Sequence, residues 1–161
     1  MANPFPFVAA SILTAAEMNG IGEAWTSFTP VWTAATTNPA IGNGTIQGKF
    51  CRVNKLVVAQ ITATFGSTTT YGSGNFLFQY PVASVAPTTG FDRILSSGHF
   101  FDTNTSNSYQ LQASCQSVST TEFRAQVFSN ASQGFQILAA AVPVTLASTD
   151  TFQINFCYEA A

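Results

Sequence analysis

One histidine, three cysteines and seven carboxylates carry most of the acid–base, nucleophilic or metal chemistry available to this chain of 161 residues. His99 lies in SSGHFFD with Asp102 three positions on and serines beside it, the letters of a hydrolase triad. The spacing argues against that use. Side chains alternate along a strand, so an odd separation sends His99 and Asp102 to opposite faces. No G-x-S-x-G elbow occurs either. Glu17, Glu23, Asp92, Asp102, Glu122, Asp150 and Glu159 show no local pairing, whereas a glycosidase holds two carboxyls roughly 5–9 Å apart across a sugar. Cys51, Cys115 and Cys157 are widely spaced and match no metal-ligand pattern. We read them as reduced residues of alternating strands, where a thiol behaves as a small apolar group. GNG at 42–44 and GSG at 72–74 lack the spacing and the following helix of a phosphate loop, and read as hairpin turns. The expectation is a chain with no catalytic residues, no cofactor and no metal.

The elements that would position such residues are nearly all strands. Segments 25–36, 45–53, 55–65, 75–82, 92–101, 108–118, 122–128, 135–141 and 151–158 read as β, with polar turns between them. Val57, Ala59, Ile61, Ala63 and Phe65 share one face and Val58, Gln60, Thr62 and Thr64 the other. The same alternation places Phe76, Phe78 and Tyr80, then Tyr109, Leu111, Ala113 and Cys115, then Phe152, Ile154, Phe156 and Tyr158, on core faces. Pro30 interrupts the first segment, as at an edge or a bend, and Asn54-Lys55 makes a tight turn. Strands with one polar face suit antiparallel pairing. The predicted fold is an all-β antiparallel sandwich, jelly-roll-like, over residues 25–161.

Residues 1–24 read differently. Pro4 and Pro6 favour an extended arm with Phe5 and Phe7 as anchors. Thr14 and Glu17 form a capping box for a short helix that Gly20 and Gly22 end, with Leu13 placed as a staple. Pro4, Phe5, Phe7, Ile12 and Leu13 are therefore candidate docking residues.

Charged residues make up 7% of the chain, against about 25% in an ordinary domain. Their place is taken by 21 Thr, 15 Ser, 10 Asn and 10 Gln. Surface charge keeps a free monomer soluble and its sheet edges unpaired, so a chain this poor in charge is expected to cover its surface in an assembly. Five scattered basic residues and a net charge of −2 give no patch for nucleic acid. No run of about 18 apolar residues suggests a membrane span, and the start, MANPFPFVAASILTAA, lacks the basic region of a secretory signal. Synthesis in a cytosol is the expectation. The loop 66–74 is the expected outward contact, through Thr69, Tyr71 and Ser73. Tyr71 either stacks on a sugar or packs the loop.

The segments ASILTAAEMNGIGEAW (10–25), FTPVWT (28–33), NPAIGNGTIQGKFCRV (38–53), TFGSTTTYGSGNFLFQYPV (64–82) and DTFQINFCYEAA (150–161) resemble small virion proteins of tailed bacteriophages. These are head decoration proteins and minor tail or tail-fibre proteins. The resemblance implies a β-sandwich head, homotrimers, no enzymatic activity and no catalytic residues to carry over. Cys51 and Cys157 depart from it. Without a coiled-coil or β-helical shaft, the chain is sized for a capsid decoration or cement protein on the virion surface, made in the bacterial cytoplasm. Its partners would be itself and capsid proteins. The alternative is a minor tail or tail-fibre protein that contributes to recognition of a host-surface glycan.

Overall fold

The computed structural model describes residues 24–86, 95–115, 119–129 and 134–161. The arm and capping-box helix expected within residues 1–24, with docking residues Pro4, Phe5, Phe7, Ile12 and Leu13, lie outside the described residues. The described chain is all-β, with no helix in it. Ten strands run in the order β1 (Thr26–Phe28), β2 (Trp32–Ala34), β3 (Thr45–Val53), β4 (Leu56–Thr64), β5 (Phe76–Gln79), β6 (Leu95–Asp102), β7 (Asn107–Cys115), β8 (Glu122–Ser129), β9 (Gly134–Ile137) and β10 (Thr151–Glu159).

All pairings are antiparallel, and the hydrogen-bonded path is β1-β3-β4-β10-β6-β7-β8-β5-β2, with β9 beside β8. The sequence predicts two stacked sheets; the described strands make one sheet, curled on itself. Phe78 on β5 and Phe152 on β10 are four hydrogen-bonded steps apart. In a flat sheet that is roughly 19 Å, yet their ring centroids lie 5.3 Å apart. Phe123 on β8 and Phe156 on β10 meet at 4.6 Å across three steps. The two walls of the core are thus one half-barrel closing over its own aromatic side chains.

The concave face holds the expected residues. Val57, Ala59, Ile61, Ala63, Phe65, Phe76, Phe78, Leu111, Phe152, Ile154 and Phe156 are buried, with Phe100, Phe123 and Val127 added from β6 and β8. Trp32 stacks on Phe65 at 5.5 Å and meets Phe76 edge-on at 5.0 Å. Gly98 permits the close pairing of β6 with β10, because a Cβ there would run into the Gln153 carbonyl and the Ile154 Cα.

Pro30 does more than bend a strand. It divides the first predicted segment into β1 and β2, which sit at opposite ends of the sheet path. The Asn54-Lys55 turn joins β3 to β4 with Asn54 at φ 55°, a left-handed conformation that asparagine tolerates better than most residues.

Candidate functional site

Among the described residues, those that suggested catalysis are separated or occupied; Glu17, Glu23 and Asp92 lie outside them. His99 is exposed on the convex face, opposite Gln153 and Gln110. Asp102 is buried at the end of β6. Its Oδ1 accepts from Asn104 N at 2.9 Å and its Oδ2 from Thr105 Oγ1 at 2.6 Å. The Thr105 hydroxyl, chiefly, holds the Asp102 carboxyl below the usual carboxylate range, against the opposing effect of burial. Asp150 is also buried, accepting from Thr103 N and Oγ1 at 3.0 Å and from Ala147 N at 2.8 Å. Each acid ties a turn by taking backbone N–H groups that the strands leave unpaired. Among the described residues no cluster of three or more His, Cys, Asp or Glu could hold a metal ion.

The expected contact loop is held against the segment 37–43. Ala40 and Thr70 exchange backbone hydrogen bonds at 2.8 and 2.9 Å. Asn43 N donates to Thr68 Oγ1 and Thr68 N to Asn43 Oδ1, both at 2.9 Å. Thr69 turns its hydroxyl inward, donating to Ile41 O at 2.6 Å and accepting from Gly66 N at 2.8 Å. Tyr71 is half-buried, edge-on to Phe65 at 5.2 Å, and burial, helped by the Asp150 charge, raises its phenol pKa. Gly72 crosses close over Thr37 O at φ +59°, where a Cβ has no room. Of the three candidates, Ser73 alone is exposed, and its backbone pairs with Thr37.

The convex face carries features that the alternation alone does not assemble. Register places Lys49, Gln60, Asn155 and Ser97 in one cross-strand row and sets Gln112 opposite Gln126. Gln60 Nε2 donates to Asn155 Oδ1 at 2.8 Å and Gln112 Nε2 to Gln126 Oε1 at 3.0 Å. A hollow of about 210 Å³ opens beside this row, lined by Ser27, Gln47, Gly48, Lys49, Gln60 and Thr62. Trp25, 51% exposed, stands next to it with Lys49 Nζ 5.1 Å from its ring centroid. A second hollow of about 300 Å³ lies between Val58, Ser96, Ser97, Asn155, Phe156 and Cys157.

Two rows further toward the β3–β4 turn the surface becomes apolar. Val53 pairs with Leu56, Leu56 with Glu159, and the Ser84–Ala160 bridge brings Val85 beside Glu159. Val53, Leu56 and Val85 are 47%, 52% and 41% exposed. The row behind them is Cys51, Val58 and Cys157. Both cysteines are unbridged. Two strand spacings, about 9–10 Å, separate them, beyond the ~7 Å that a disulfide spans. Lys55 and Glu159 form an ion pair at 3.3 Å beside the apolar row.

No family model matches the chain, and no curated protein or solved structure matches it.

Proposed function

We propose that this protein is a non-enzymatic structural protein whose β-domain associates with copies of itself on the surface of a larger particle. The phage-virion resemblance makes a capsid decoration or cement homotrimer the leading form. The observation that carries the reading is the exposed Val53–Leu56 pair, with exposed Val85 on the far side of Glu159, on a surface with very little charge. Contiguous apolar side chains rimmed by polar ones are the ordinary mark of a protein–protein contact. Cyclic symmetry would bury the row on every subunit and end growth there. The ion pair Lys55–Glu159 stands between Leu56 and Val85, where such pairs set register more than affinity. The finer fold assignment that accompanies this reading is a jelly-roll-like sandwich, with the two walls of the curled sheet in the place of its layers.

Sedimentation equilibrium of the full chain tests association. The wild type is expected to be oligomeric and Leu56→Asp monomeric with an unchanged circular dichroism spectrum, because an exposed site tolerates polar replacement within about 0.5 kcal/mol. A monomeric wild type, or an oligomer indifferent to Leu56→Asp, would overturn the reading. Immunogold labelling of phage particles then gives the address. Label on heads supports decoration, label on tails supports the tail alternative, and unlabelled particles remove both.

A further inference from the structure

The hollow on the convex face has a mechanical cause. β1 stops at Phe28, opposite Gly48, and the chain turns away at Pro30. Gln47 and the residues before it on β3 therefore have no outer neighbour on β1. Ser27, opposite Lys49, forms one wall; Gln60 and Thr62, opposite Lys49 and Gln47, form the other. The lining carries two hydroxyls, two carboxamides and one ammonium, and no carboxylate. That inventory both donates and accepts hydrogen bonds. It lacks the carboxylates of a hard-cation site and carries an ammonium instead, and it has neither the paired cations that favour phosphate nor the apolar lining of a hydrophobic ligand.

Trp25 supplies what the hollow itself lacks. It lies two residues before Ser27, on the same outward face, and its indole is already addressed by a cation from Lys49 at 5.1 Å. Half of its surface is exposed, although tryptophan is usually highly buried. Gln60 is partly preorganised: one amide N–H is used on Asn155, and the second N–H and the carbonyl oxygen provide further capacity.

We propose that this hollow binds one ring of a neutral saccharide, with Trp25 as the stacking platform and Gln47, Gln60, Thr62 and Ser27 as the hydroxyl-reading groups. The C–H face of the sugar takes the place of the ammonium over the indole, and Lys49 then donates to sugar oxygens. A volume near 210 Å³ is below the ~300–1,000 Å³ of sites that enclose drug-sized molecules. It therefore seats one ring of a longer glycan and leaves the rest outside, so affinity is millimolar. The site goes beyond the assembly reading and does not depend on it. Lys49 and Val53 are four residues apart on β3, so the hollow is roughly 13 Å from the apolar row.

The test is an NMR titration of the ¹⁵N-labelled full chain with maltotriose, cellotriose and triacetylchitotriose, with inorganic phosphate as the anion control. At least one trisaccharide is expected to shift the Trp25 indole and Gln60 side-chain amide signals at millimolar concentration, and phosphate is expected to leave them in place. Trp25→Ala should weaken that binding about ten-fold without altering the dispersion of the remaining spectrum. Gln60→Ala, at a second outward position, should weaken it too. Leu56→Asp should bind as the wild type does, which separates this site from self-association. No response from any trisaccharide, an unchanged midpoint in Trp25→Ala, or binding of phosphate alone would overturn the proposal.

Discussion

Tyr158→Phe removes a single oxygen at the point where β10 is tied to the chain leaving β5. The phenol donates to Val82 O at 2.6 Å and accepts from Val82 N at 3.2 Å, while its ring packs on Tyr80 at 4.6 Å. The phenylalanine variant keeps the packing and strands both backbone groups of Val82. Leaving such groups unsatisfied costs about 1–3 kcal/mol at neutral pH. Alkali should erase that difference. Burial pushes the Tyr158 phenol from 10.0 up to about 12, outweighing the Val82 N–H and the Arg52 charge, which favour the phenolate. A group with a raised folded pKa contributes stability that is complete below its unfolded pKa, near 10, and is lost as pH rises through the folded value. Two units correspond to roughly 2.7 kcal/mol at most. Because the residue keeps 9% exposure, about 1–2 kcal/mol is the reasonable loss. Urea unfolding followed by tryptophan fluorescence, repeated from neutral pH upward, measures it. The gap between wild type and Tyr158→Phe should be widest near neutrality and close between pH 10 and about 12. A constant gap across that range would refute the account of a buried, hydrogen-bonded phenol.

Two further substitutions probe the curl and its turns. Phe78→Ala should lower the urea-derived stability by about 3–5 kcal/mol, since Phe78 is fully buried and joins Trp32, Phe123 and Phe152 across the two walls; a loss under about 1 kcal/mol would mean that the walls do not close there. Asp150→Asn should cost about 1–3 kcal/mol in the same assay, because one carboxylate oxygen that now accepts from Thr103 or Ala147 becomes an NH₂ facing a donor.

The strands were legible because alternation is a local property. Predicted segments 45–53 and 151–158 became β3 and β10 within a residue at each end, and Val57 to Phe65 face the core as their period of two requires. Alternation names a face and leaves the neighbour open. Nothing within NFLFQYPV says that Phe78 will meet Phe152, so a curled single sheet and two stacked sheets read alike in the sequence. The convex-face hollow was illegible for the same reason. Ser27, Gln47 and Gln60 each look like an ordinary outward polar residue. Only the pairing of β1 with β3 and of β3 with β4 brings them together. Tyr71 drew attention because it is the aromatic of a Thr-rich loop, while Trp25 read simply as the start of a strand.

The low charge acquires a second physical meaning from the topology. A sheet of ordinary length normally blunts its edges with lysines, prolines or bulges. Here the path ends in β1 and β2, three residues each, with Pro30 between them. Strands that short offer little template for strand addition, and the remaining open edges are the part of β3 beyond β1 and the four-residue β9. In the proposed assembly, end strands this short favour contact through side chains on the convex face over a continued backbone ladder. That is why substitution at Leu56, and not at an edge strand, is the decisive variant for assembly.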